Sequence, residues 1–270
     1  MTPEASDITL ALPFALLATL LYALSGGWQI LVLLRQVPAP RLSLVRYSGI
    51  GAVLLHTYVL YVMLFQHDTL ALGAAESTSL ICWLMAIMLL LTSRYHAMTA
   101  LMAILFPLAS LSLILLIGLP QHVHDTHFSN GELIHIFTSV LAYALLSLAT
   151  LQALLLAIQD RALKMRRFRG IVESLPALIR MERVLFDLIT MGIILLTLSI
   201  ITGVLFVYNA PLTRLTPKAL LALMTWAIFG ILLWGHRVRG WRGRKAVRWT
   251  LGGSVLLLLT YYGSKFLTPY

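Results

Sequence analysis

Eight stretches of this chain are long and apolar enough to cross a bilayer, and seventeen of its twenty Lys and Arg residues fall in alternate gaps between them. A helix needs about 20 apolar residues to traverse a hydrocarbon core near 30 Å thick. Inside that core each backbone amide must be satisfied within its own helix or within a closed barrel. The stretches run roughly 9–34, 47–66, 77–93, 97–119, 133–158, 184–208, 218–235 and 250–267. They are continuous, without the period-2 alternation of barrel strands. The expectation is therefore an all-α polytopic membrane protein, a bundle of about eight transmembrane helices.

The charges orient that bundle. Arg35, Arg41 and Arg46, then Arg94, then seven basic residues in 160–183 and six in 236–249 occupy one side. The other side holds Glu4, Asp7, Asp68, Glu76, Asp125 and Glu132 against Arg214, Lys218 and Lys265. Basic loops stay cytoplasmic, so both termini are expected to face outward. The pI of 10.1 invites a nucleic-acid partner, but confinement of the basic residues to one face is explained by topology, and no nucleic acid is expected. Charged residues make up 11% of the chain, against roughly 25% in soluble domains. The spans use most of its length, so a single integral membrane domain over 1–270 is expected. The lone Cys82 excludes a disulfide framework. An acidic start without a basic n-region marks the first span as retained rather than cleaved. Residues 163–182 mix basic and apolar positions, as an interfacial helix or lipid-surface linker would. No convincing internal repeat is visible.

Eight histidines sort by depth and side. His67, His122, His124 and His127 lie outward, and His135 opens the fifth span. His96 sits in a short inner turn, and His236 closes the seventh span at the cytoplasmic boundary. His56 falls near the middle of the second span, where an imidazole costs free energy unless something satisfies it. Two arrangements do so: a hydrogen bond to a neighbouring helix, or axial ligation of a membrane-embedded haem. The loop His122-x-His124-x-x-His127, with Asp125 inside it, is a weaker candidate for Zn or Cu. Phosphate-binding glycine loops, a Walker lysine and a serine triad are absent from the sequence.

Several segments, in order, resemble the cytochrome c assembly family of haem-handling membrane proteins, in particular its short YpjD-like branch. Glu76-Ser-Thr-Ser-Leu-Ile-Cys-Trp83 is similar to the family's Glu-Ser-Leu … Trp helix opening. Leu133-Ile134-His135, with Tyr143 eight residues on, is similar to the helix that carries an outer haem ligand. Residues 181–203 follow the family's acid … Gly … Leu-Thr … Gly helix. Thr216-Pro217-Lys218 and Leu223-Met224-Thr225-Trp226 are similar to Asp-Pro-Lys … Leu-Ile-Thr-Trp. The most specific block is Leu233-Trp234-Gly235-His236, then Gly240-Trp241-Arg242-Gly243-Arg244 and Tyr262-Gly263. The likeness covers roughly 76–266. It implies that His135 is an outward-side haem ligand and His236 a ligand nearer the cytoplasmic side. His56 has no matching family position and stays a candidate second ligand by depth alone.

There are three departures. The family's tryptophan-rich outer segment is replaced by Val207-Tyr-Asn-Ala-Pro-Leu-Thr-Arg-Leu-Thr216, which has no Trp. No histidine follows the last span. Asp187 stands where the family typically has Arg. A sixth iron ligand would then come from His67, His122, His124, His127, water or another protein. The resemblance implies a bacterial inner-membrane protein that binds or moves haem b during c-type cytochrome biogenesis, with other maturation or membrane proteins as partners. In that role no bond need be made by the chain itself, so an enzyme is not expected. A different class of reading is an accessory bundle that has lost haem handling and assists another membrane protein or transporter. Ion or metal transport ranks last, because the spans offer little polar lining beyond His56 and Asp187.

Overall fold

The computed structural model describes residues 3–34, 42–66, 69–70, 73–92, 96–119, 128–165, 175–207 and 217–263. Among the described residues eight α-helices follow one another: α1 (Pro3–Leu33), α2 (Leu42–Leu64), α3 (Ala74–Thr92), α4 (His96–Gly118), α5 (Asn130–Lys164), α6 (Leu178–Thr202), α7 (Pro217–Arg239) and α8 (Arg244–Leu258). Two of them end in π-helical turns, Gly203–Val207 after α6 and Leu259–Gly263 after α8. Between α2 and α3, Phe65–Gln66 pairs antiparallel with Thr69–Leu70. Among the described residues seven helices are long and apolar enough to cross a membrane. The eighth, α8, is α-helical for 15 residues and continues into its π turn. Its first turns carry Arg244, Lys245 and Arg248, so its apolar run starts only near Thr250. The chain is thus an all-α polytopic membrane protein.

Helix ends overrun the hydropathy boundaries. The second helix starts at Leu42 rather than 47, the fifth runs 130–164 rather than 133–158, and the sixth starts at Leu178 rather than 184. Hydropathy marks only the apolar core of a helix, whereas intrahelical hydrogen bonding continues through residues such as Arg46, Arg161 and Arg180. Long basic side chains can keep their heads in water from there.

The helices cluster into two compact units, α1–α4 and α5–α8. In the first, α1 packs on α2 and α4, and α3 packs on the same two helices. Close approach there depends on small residues, as expected where apolar lipid offers no hydrophobic drive. A Cβ on Gly26 would lie 2.6 Å from the Pro107 ring, and one on Gly49 would lie 3.0 Å from Phe106. Hydroxyls add cross-links: Ser25 Oγ to Ser48 Oγ at 2.7 Å, and the Trp83 indole donating to Thr57 Oγ1 at 2.9 Å.

In the second unit, α5 packs on α6 and α8, and α7 packs on the same two. Each unit is therefore a ring of four helices in chain order. That shared order is a property of topology and needs no sequence repeat. The α5–α6 pair is the most extensive. Gly192 admits Leu146, whose side chain would lie 2.6 Å from a Cβ there. Gln152 and Gln159 of α5 donate to the carbonyls of Met181 and Pro176 at 3.0 and 2.9 Å. Residues 135, 139, 142, 146, 149, 152, 156 and 159 recur at three- and four-residue steps, the spacing of one helix face.

Candidate functional site

His135 and His236 both belong to the α5–α8 unit, and the same device holds each ring. At the start of α5, Ser129 and Glu132 form a reciprocal capping box, with Ser129 N–H donating to Glu132 Oε2 at 2.8 Å. That fixes where the helix begins and puts His135 in its second turn. His135 Nδ1 lies 2.9 Å from the backbone carbonyl oxygen of Ser199 on α6. A carbonyl only accepts, so Nδ1 carries the proton and donates it. In a neutral imidazole the lone pair then resides on Nε2. Among the described residues nothing hydrogen-bonds to that Nε2.

Glycines on both sides let α5 and the end of α6 meet at the His135 ring. A Cβ on Gly203 would lie 2.9 Å from His135 Cε1 and 3.1 Å from its Nδ1. One turn before His135, a Cβ on Gly131 would lie 2.4 Å from the Phe206 ring. Gly203 also opens the first π-helical turn, a local widening often found at functional positions. Beneath the ring, the Ser139 hydroxyl donates to the His135 carbonyl at 2.6 Å, and its oxygen lies 2.6 Å from Ser199 Oγ. Since Ser139 has a single proton, the Ser199 hydroxyl donates across the helix pair.

His236, at the far end of α7, is held by the turn that follows it. Its Nδ1 lies 2.9 Å from the Trp241 carbonyl oxygen, so here too Nδ1 donates and Nε2 keeps the lone pair. Its ring stacks on Phe186 of α6, with centroids 3.5 Å apart and planes inclined by 14°. The turn is built by three glycines. Gly235 leaves room for the Trp241 indole, which a Cβ there would meet at 2.4 Å. Gly240 takes φ +65°, a left-handed conformation that costs glycine little, and the Trp241 N–H then reaches the Gly235 carbonyl at 3.1 Å. Gly243, at φ 56° and ψ −129°, donates its N–H to Glu182 Oε1 at 2.9 Å. That carboxylate is 9% exposed and sits at the N-terminus of α8, where a negative charge complements the helix dipole. The Lys245 ammonium lies 3.9 Å from the Trp241 ring centroid and closes the turn.

The two histidines define two places. Their contacts on α6, Ser199 and Phe186, are thirteen residues apart on a continuous α-helix. At 1.5 Å per residue this is about 20 Å along the axis, far beyond the span of one iron atom. His135 and His236 therefore cannot ligate the same metal.

His56, in the α1–α4 unit, is arranged differently. It is fully buried, with Nε2 2.9 Å from Ser79 Oγ and Nδ1 3.4 Å from the Tyr22 hydroxyl. Both ring nitrogens are engaged, so iron ligation would require breaking one of these bonds. The interhelical hydrogen bond weighed from the sequence is the arrangement present. His67, His122, His124 and His127 lie outside the described residues, as do Asp68, Asp125, residues 166–174 of the basic stretch, the outer segment 208–216 and residues 264–270. Among the described residues no three His, Cys, Asp or Glu side chains gather as a metal cluster. Asp187 is exposed on α6 and forms no ion pair among them. Sequence reading missed Ser199, Phe186, Gly203 and Glu182 as the groups that set the two rings. All four lie in the 181–203 stretch already singled out by resemblance.

The architecture is that of a polytopic membrane protein whose second helical unit presents two tautomer-fixed imidazoles at separate levels. The chain belongs to the cytochrome c assembly protein family, whose profile matches residues 71–269. It is 30% identical to the inner membrane protein YpjD of Escherichia coli K12, over 93% of this chain and 96% of that protein. It is also 34% identical to the cytochrome c biogenesis protein CcsA of Cyanophora paradoxa, over 33% of this chain and 28% of that one. For the CcsA protein of Chlamydomonas reinhardtii the figures are 26% identity over 50% and 38%. No solved structure matches the chain.

Proposed function

We propose that this chain handles haem for c-type cytochrome biogenesis in a bacterial inner membrane, with His135 and His236 each offering Nε2 to the iron of a b-type haem. The observation that carries the reading is the carbonyl-locked Nδ1 proton found at both rings. Metal-ligating histidines are commonly oriented this way, because the outer hydrogen bond fixes the tautomer and raises the basicity of the other nitrogen. The Gly203 cradle adds to it, since a Cβ there would crowd the His135 ring. Bound haem would supply an iron centre for ligation and electron exchange. The chain's own residues orient the imidazoles and hold their protons on Nδ1, which leaves each Nε2 for the iron. No covalent chemistry is assigned to the protein. In this reading His56 serves as a hydrogen-bonded hub of the α1–α4 unit, and the remaining ligand would come from His67, His122, His124, His127, water or another protein.

The test is genetic. In cells lacking the chain, covalently haem-stained c-type cytochromes are expected to fall severalfold. Wild type should restore them, whereas His135→Ala and His236→Ala at equal membrane abundance should not. Undiminished cytochromes in the deletion strain would instead favour the accessory-bundle reading.

A further inference from the structure

The basic end of the α5–α8 unit carries a groove that the haem reading leaves unused. It encloses about 530 Å³ between the end of α5, the start of α6 and the first turns of α8. Its apolar floor includes Leu156, Leu178 and Val247, and its rim carries the cations Arg161, Lys164, Arg244 and Arg248. Among the described residues one carboxylate, Asp160, lines it and is paired with Lys164 at 2.5 Å. Among the described residues no carboxylate pairs with Arg161, Arg244 or Arg248. Three guanidinium groups therefore face an apolar recess without a counter-charge among the described residues. The positive-inside rule places this end at the cytoplasmic boundary, where anionic lipid headgroups concentrate.

We propose that the groove is a binding site for an anionic phospholipid. Arg161, Arg244 and Arg248 would take the phosphodiester, and the acyl chains would lie over Leu156, Leu178 and Val247. Guanidinium suits this role because its planar donors pair two at a time with phosphate oxygens. The site is independent of haem binding at His135 or His236.

The experiment uses the full chain, purified in detergent, stripped of lipid and offered mixed micelles of phosphatidylglycerol or phosphatidylethanolamine. Retained lipid is counted by native mass spectrometry. Phosphatidylglycerol is expected to be retained about tenfold better than phosphatidylethanolamine, and Arg244→Gln/Arg248→Gln is expected to abolish that preference. Arg244→Lys/Arg248→Lys should recover most of it. If the glutamine pair is not monodisperse by size exclusion, Arg161→Gln and Arg248→Gln singly carry the same test. Equal retention of the two lipids, or a preference unchanged in the glutamine variants, would overturn the proposal. So would unchanged lipid retention accompanied by loss of haem uptake, which would assign these cations to haem propionates instead.

Discussion

His135 Nδ1 and the Ser199 carbonyl oxygen lie 2.9 Å apart across the α5–α6 interface, and this hydrogen bond decides which ring nitrogen is left to a ligand. His236 repeats the arrangement with the Trp241 carbonyl, and its α6 neighbour Phe186 lies about 20 Å along that helix from Ser199. His56 does not, because hydroxyls engage both of its nitrogens. The contrast separates two imidazoles whose Nε2 has no hydrogen bond among the described residues from one that fastens helices together.

Gly203 is the position where a single methyl group should disturb the His135 site. In Gly203→Ala the added Cβ would lie 2.9 Å from Cε1, so the ring must swing away from the Ser199 carbonyl. Overpacking of this kind costs about 1–3 kcal/mol. Expected are a lowered melting temperature, unchanged helix content by circular dichroism, and the same loss of haem absorbance as His135→Ala. Full retention of haem by a folded Gly203→Ala protein would show that the ring position is not what this glycine protects.

The Glu182–Gly243 bond anchors the turn that holds His236. Glu182→Ala leaves a half-buried N–H without its acceptor, at a cost of about 1–3 kcal/mol. Glu182→Gln keeps an acceptor oxygen and should lose less. Thermal melts in detergent should rank wild type above Gln and Gln above Ala; equal melting of Gln and Ala variants would reject the bond as the cause.

Ser139 and Ser199 meet at 2.6 Å beneath the His135 ring. A double-mutant cycle with Ser139→Ala and Ser199→Ala should return a coupling of about 0.6 kcal/mol, typical of hydroxyl contacts between membrane helices. A coupling indistinguishable from zero would mean the contact contributes no stability.

Replacing His56 by Leu removes the partner of two buried hydroxyls, Tyr22 and Ser79. Stability should fall by about 1–3 kcal/mol, while haem absorbance stays at the wild-type level. Loss of absorbance in a folded His56→Leu protein would restore His56 as a ligand.

Much of the fold was legible because hydropathy and charge depend only on which residues are present. The run 97–119 needs no knowledge of its neighbours to be read as a span, and α4 covers 96–118. Helix ends were read short at Arg46 and Arg180, where hydrogen bonding continues past the apolar core. The division into α1–α4 and α5–α8 left no trace, since hydropathy and loop charge do not say which helices pack together. At the site, His135, His236 and the glycines around Trp241 were visible through family likeness. The partners that orient the rings were not. The Ser199 and Trp241 carbonyls are backbone atoms with no residue signature, and the stacking of Phe186 on His236 depends on how α6 is rotated against α7.

The most direct test of the central claim is the dithionite-reduced absorption spectrum of the detergent-purified protein, beside His135→Gly, His236→Gly and the double variant. The account predicts sharp α and β bands in wild type, a partial loss in each single variant and none remaining in the double. Added imidazole should restore each single variant, since the glycine leaves a cavity the free ligand can fill. A colourless wild-type protein after expression with added haem, or bands unchanged in the double variant, would contradict it.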